Sequence, residues 1–258
     1  MPPSYPTMQA KPNIANIALL KTAELVEVSS LNVNSGATLA TSLYDQMRSD
    51  LLAGKLEPGR KLQIEFLADR YQAGNTPIRE ALNRLTSDGL VERRDQRGFA
   101  VAPATATDLR EITKTRCWLE AIALRESLAA KSVQWEEDLV LAYHRLSKMP
   151  RSPNKEQYEE NPEWERLHRA FHRALIGACG SRWLTLFCEQ LADQSYRYRQ
   201  LSVRRIYPKR HELDEHRIMM QAAINGDTGK VIALVTEHYQ KTANVILSDE
   251  TAFPELSG

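Results

Sequence analysis

The stretch NTPIREALNRLTSDGLVERRDQRGFAVAP, residues 75 to 103, admits few folds. Asn75 or Thr76 offers a side-chain acceptor suited to a helix N-cap. Pro77 then fits the first helical position, where a missing N–H is no loss. Ile78, Ala81, Leu82 and Leu85 recur on one face, and Gly89 supplies the stop. Two short runs follow, Leu90 to Arg93 and Phe99 to Val101, with a polar turn and Gly98 between them, which predicts a β-hairpin. Two further helices precede this unit. TLATSLYDQMRSDLLAGKLEPGRKL carries Leu39, Leu43, Met47 and Leu51 at helical spacing, and QIEFLADRYQAG carries Ile64, Leu67, Ala68 and Tyr71. Three helices and a hairpin within about 65 residues make the pattern of a winged helix-turn-helix.

Beyond Pro103 the periodicity is helical throughout, with Thr107 or Asp108 as the first cap. Helices are expected at about 108–131, 135–148, 162–179, 181–200, 211–225 and 227–247, the last two divided by Gly226 and capped by Asp227. No strand pattern interrupts them, so this region reads as a helical bundle. The expected organisation is a flexible tail at 1–36, the winged helix-turn-helix at 37–103 and an all-helical domain at 107–250. The fold class is mainly α.

In a helix-turn-helix the second helix of the motif enters the major groove, with its N-terminal residues reaching base edges. Arg79 is placed for a bidentate contact to guanine, and Asn75 for an adenine or a phosphate. Thr76, Asn83 and Arg84 belong to the same outer region, and Arg93, Arg94 and Arg97 surround the wing turn at Gly98. Net charge does not decide the matter. Residues 37 to 103 hold ten basic side chains against nine acidic, and the whole chain is +1. DNA binding therefore has to rest on local placement, with a protein-contact role as the alternative.

The second domain raises a different question. His168 and His172 lie four residues apart, one helical turn, on a stripe with Leu175 and Cys179. His216 shares a stripe with Leu213, Met220 and Ile224, and His238 one with Val231, Leu234 and Val245. Three helices thus present histidine inward. Packed core histidines and neutral imidazole ligands of a metal both fit that pattern. His144 and His211 read as surface residues. The three cysteines, with no CxxC spacing, point to reduced thiols in a cytosolic protein. No segment approaches the roughly 20 apolar residues of a membrane span, and the N-terminus lacks the features of a signal peptide, so cytoplasmic is the expected location. Arg169 follows His168 where a zinc hydrolase of the HExxH type needs a glutamate, and no GxSxG, P-loop or dinucleotide fingerprint is present. An enzyme is not expected.

The stretch LADRYQAGNTPIREALNRLTSDGLVERRDQRGFAVAP resembles the DNA-binding domain of the GntR family of bacterial transcription regulators. TRCWLEAIALRESLA, FHRALI, EHRIMMQAAINGD and EHY resemble the all-helical ligand domain of its FadR-like, FCD-type subgroup. Thr76, Arg79 and Gly98 carry over to matching positions. Gly74 and Asn75 depart from the Ser or Thr followed by Arg usual there, so the operator sequence does not carry over. The resemblance implies a divalent metal bound through an Asp-x3-His pair and two later histidines. His172, His216 and His238 match the histidines, while His168 stands where the aspartate is expected, either as a fourth ligand or as a residue beside a three-histidine site. An all-imidazole set shifts preference toward Zn, with Ni, Cu or Fe as other options. Arg116 matches an arginine on the subgroup's first ligand-domain helix and is a candidate for pairing an effector carboxylate. A surface ion pair with Glu120 is the alternative. Arg199 and Arg197 are weaker effector candidates.

Together these readings imply a homodimeric transcription regulator, a repressor by expectation. It would bind a double-stranded DNA operator and respond to a small organic-acid effector at a metal site. A metal-dependent hydrolase and a metal-free dimeric DNA binder are the rival readings.

Overall fold

The computed structural model describes residues 39–154, 156, 158–206, 212–248 and 253, without the side chains of 202–206, 212 and 213. The expected tail at 1–36, His211 and the side chain of Leu213 lie outside them. From Leu39 onward the chain clusters as one compact unit. Its first elements are α1 (Leu39–Leu52), β1 (Lys61–Leu62), α2 (Ile64–Arg70), α3 (Asn75–Ser87), β2 (Val91–Arg94) and β3 (Gly98–Val101). The sheet is antiparallel in the order β1-β3-β2, pairing Leu62 with Phe99 and Val91 with Val101. This is the winged helix-turn-helix, with one strand more than expected. β1 has only two residues, too few to show alternation in a sequence.

Leu43, Met47, Leu51, Leu67, Ile78, Leu82, Leu85 and Val101 form its core. Each comes from the apolar stripe of its helix or the inner face of the sheet. The start of α3 differs from expectation. Gly74 is the N-cap, with no side-chain cap bond, and Asn75 and Thr76 are already helical. The first intrahelical bond runs from Ile78 N–H to Gly74 O at 3.3 Å. Pro77 therefore lies in the first turn, whose N–H groups have no intrahelical acceptor, and Asn75 and Thr76 are left exposed. In the wing, Arg97 N–H bonds Arg94 O at 3.0 Å and Gly98 has φ +84°, a conformation suited to glycine.

The remaining helices are α4 (Ala106–Ala129), α5 (Val133–Ser147), α6 (Pro162–Leu175), α7 (Arg182–Ile206), α8 (Glu212–Ile224) and α9 (Thr228–Leu247). α4 begins earlier than expected because Thr105, rather than Thr107 or Asp108, is the cap, accepting from Asp108 N–H at 3.1 Å. α6 opens on Asn161 as cap with Pro162 behind it, and α9 on the expected Asp227. α6 stops at Leu175, short of the expected 179, and α7 runs on past 200 to Ile206. α9 packs along α4, α4 against α7, and α5 against α6 and α8. Among the described residues no helix is long and apolar enough to cross a membrane.

α7 also grips the winged helix. Its Asp193 pairs with Arg48 of α1 and with Arg169 of α6. Gln194 Nε2 donates to the carbonyl of Asp88, just past α3, at 3.0 Å. Arg197, an effector candidate from the sequence, is instead buried here and donates to the carbonyl of Ala102. Tyr198 donates to Asp108 at 2.6 Å and accepts from Thr105 N–H at 3.1 Å.

Leu82 is fully buried between α3 and its neighbours. Leu82→Ala is expected to destabilise the fold by about 2–5 kcal/mol in urea unfolding; a loss below about 1 kcal/mol would contradict this packing.

Candidate functional site

The helical stripes converge. α6 supplies His168 and His172, α8 supplies His216, α9 supplies His238, and all four are buried. His172 Nε2 lies 3.2 Å from His168 Nε2 and 3.3 Å from His216 Nε2. One ring nitrogen from each of the four falls within 4.8 Å of the others. Burial, reinforced by the neighbouring imidazoles, holds His168 and His172 well below the usual histidine range, so both rings are neutral with a lone pair to offer. Nitrogens about 2.0–2.1 Å from one tetrahedral ion stand roughly 3.3 Å apart. The donor set and its spacing fit a divalent transition metal.

Partners on the other ring nitrogens orient this set. His172 Nδ1 lies 3.1 Å from the Tyr239 hydroxyl, which donates to Glu120 Oε2 at 2.6 Å. The phenol oxygen is then the acceptor for His172 Nδ1–H, which leaves the Nε2 lone pair facing the cluster. Glu215 Oε2 does the same for His238 Nδ1 at 2.7 Å. His168 differs. Its Nδ1 lies 3.5 Å from Arg199 Nη1, a group that only donates. A ligating His168 carries its proton on Nδ1, so ligation requires Arg199 to turn toward Glu165 Oε2, which it already meets at 2.5 Å.

Arg116 pairs with Glu120, the alternative read from its i+4 spacing. Its Nε donates to Glu120 at 2.8 Å, and its guanidinium lies 3.7 Å over the Tyr239 ring. Burial disfavours its charge, but Tyr239 and Glu120 more than offset that and raise its pKa. The pair is buried rather than on the surface. Arg116 also lines a cavity of about 390 Å³ together with Glu165, His168, His172, Arg199 and His238. Both effector candidates therefore reach the histidine cavity. Sequence spacing does not single out Glu120, Glu165, Glu215 or Tyr239 as site residues. The available hints were Glu165 one turn before His168 and Tyr239 next to His238. His144 is exposed, as expected.

On the winged helix Asn75, Thr76, Arg79, Asn83, Arg97 and Gly98 are all exposed. Arg79 and Asn83 line a cleft with the wing residues Arg93, Arg94, Gly98 and Phe99, and Arg79 and Arg97 line a neighbouring one with Lys61. Arg84 is exposed too, but its guanidinium stacks 4.0 Å over Tyr44 of α1, away from those clefts.

Residues 39–101 match the family described as bacterial regulatory proteins, gntR family, and residues 111–241 match the FCD domain. The chain belongs to the GntR family and carries an FCD domain. It is 33% identical to the HTH-type transcriptional regulator BphR of Paraburkholderia xenovorans, over 85% of this chain and 90% of that protein. It is 32% identical to the HTH-type transcriptional repressor GlaR of Escherichia coli, over 76% and 90%. The solved structure of E. coli McbR/YncC shares the fold, with a TM-score of 0.67 at 20% identity, over 82% of this chain and 98% of that one. These are transcription regulators, not enzymes, and this GntR-FCD chain is a DNA-binding transcription regulator.

Removing Arg116 leaves Glu120 buried beside Tyr239 without its cation. Arg116→Met is expected to lower stability by about 3–5 kcal/mol in urea unfolding. A change below about 1 kcal/mol would show that the pair does not hold the cavity wall.

Proposed function

We propose that this GntR-FCD regulator controls operator binding through a metal and a small carboxylate effector held in the α6–α8–α9 cavity. The convergence of four buried imidazoles is the observation that carries the reading. His172, His216 and His238 hold the ion, with His168 as the fourth ligand in place of a carboxylate. Zn suits this donor set first, and Ni, Cu or Fe are served by the same imidazoles. The bound ion supplies a Lewis-acidic centre for the effector's carboxylate. Arg116 and Arg199, whose guanidinium groups line the same cavity, attract and orient that anion.

On the DNA side Asn75, Thr76, Arg79 and Asn83 enter the major groove, Arg97 and Gly98 set the wing on the backbone, and Arg84 steadies α3 through Tyr44. Two copies read two half-sites, as symmetric helix-turn-helix proteins do. Exposed Trp118 and Ile122 on α4, and Trp183 and Phe187 on α7, support a homodimer, since large apolar side chains in such numbers favour a partner. Repression of transcription is the mode named for the relative GlaR, and repression in the cytoplasm is our reading for this chain. The working units are the winged helix at 37–103 and the effector domain at 107–250.

Coupling runs through α7. Ala192, Ser195, Tyr196 and Arg199 line the cavity, while Asp193, Gln194, Arg197 and Tyr198 hold the winged helix and the chain that leads from it. An effector that prefers one placement of α7 shifts the reading head with it.

Elemental analysis of protein purified without a metal-affinity tag tests the site. About one transition-metal ion per chain is expected, falling at least tenfold in folded His172→Ala. Metal-free wild-type protein that also fails to take up Zn on titration would overturn the reading and leave a metal-free dimeric DNA binder.

A further inference from the structure

One carboxylate in the cavity is only half used. Glu165, on α6, is 8% exposed and lines the cavity with Arg199 and His168. Its Oε2 takes Arg199 at 2.5 Å, while its Oε1 is buried with no hydrogen-bond partner among the described residues. A buried carboxylate oxygen without a donor is unfavourable, and a bound ligand that brings a donor relieves it. Oε1 therefore marks a place for a ligand O–H or N–H.

The surroundings choose between those donors. Five arginines, Arg116, Arg166, Arg169, Arg173 and Arg199, line the cavity against three glutamates, Glu120, Glu165 and Glu189. Arg166 and Arg169 are taken by Glu163 and Asp193 outside the lining, and the charge of Glu165 is already met by Arg199. No unmet negative charge is left to hold an ammonium group, and a neutral hydroxyl on an anionic ligand suits Oε1. Distance limits where the hydroxyl sits. Glu165 and His168 are three residues apart on one helix face, within about one turn. Arg199 spans the two, reaching Glu165 at 2.5 Å and His168 Nδ1 at 3.5 Å. A carboxylate on the histidine and Arg199 side thus leaves room for a hydroxyl on the adjacent carbon to meet Glu165.

We propose that Glu165 is a specificity-determining residue that selects a 2-hydroxycarboxylate, accepting the ligand's hydroxyl proton at Oε1 while Arg199 holds Oε2. This rests on the reading of the cavity as a carboxylate effector site. A site built to accept from a hydroxyl discriminates strongly against the same acid lacking it. The lone acceptor of Glu165 is lost in Glu165→Gln, where the amide oxygen stays on Arg199 and the NH2 turns to the cavity.

Isothermal titration calorimetry of the Zn-loaded chain with two matched pairs, lactate against propionate and malate against succinate, tests this. The hydroxylated member is expected to bind wild type at least tenfold more tightly in at least one pair. In Glu165→Gln that ratio falls to within twofold, while the plain acid keeps its affinity within threefold. Equal binding within twofold in wild type overturns the proposal without needing any variant, and so does a preference that survives in folded Glu165→Gln. Plain acids that bind as well as hydroxylated ones leave the carboxylate site standing. If none of the four acids binds, the carboxylate reading falls and this inference with it.

Discussion

Imidazole rings packed into the middle of a helical bundle need polar partners, because burial without them is unfavourable. Much of the second domain is arranged around that requirement. Tyr239 and Glu120 serve His172, Glu215 serves His238, and Arg199 with Glu165 stands beside His168. Trp164 covers the outer ring, stacked on His168 at 4.7 Å between centroids and 12° between planes. The apolar core of Leu124, Leu139, Phe171, Ala223 and Val231 closes around this polar centre. The ring nitrogens that converge there lie within 4.8 Å of one another, a spacing that a cation at their centre would suit.

The same centre lies one helix away from the DNA-reading unit. α7 presents one face, with Ala192, Ser195, Tyr196 and Arg199, to the cavity and another, with Asp193, Gln194 and Arg197, to the winged helix. Asp193 links three helices. It is buried, and it joins Arg169, the neighbour of His168, to Arg48 of α1. A buried carboxylate between two arginines is sensitive to position, because loss of either contact leaves charge insufficiently compensated. Gln194, on the carbonyl that follows α3, ties the same helix to the end of the recognition helix.

Much of this was legible because it is local. The change from helical spacing to short strands at Gly89 gives the winged helix, and the histidine stripes on three helices bring out the cluster, His168 included. What stayed hidden depends on long-range contacts. Glu120 and Tyr239 are 119 residues apart, and Glu165 and Arg199 are 34 apart, so no local pattern pairs them. Arg116 could be read as a carboxylate ligand or as the partner of Glu120, and only packing shows that it is buried and does the second while lining the cavity. Arg197 and Arg199, two residues apart on one helix, are equal candidates in the sequence, and only packing separates them. The Arg197 side of α7 faces Ala102 instead. Gly74 displaced the expected caps because Asn75 and Thr76 are already within the helix, exposed on its first turn.

The central claim is that occupancy of the histidine cavity reaches DNA through α7. Operator affinity, measured by fluorescence anisotropy on a selected operator with and without Zn plus a bound hydroxy acid, tests it in wild type and in folded Asp193→Asn. At least a tenfold ligand-dependent change is expected in wild type, reduced to less than threefold in the variant although the ligand still binds. An unchanged wild-type affinity, or an equal ligand response in Asp193→Asn, would contradict it.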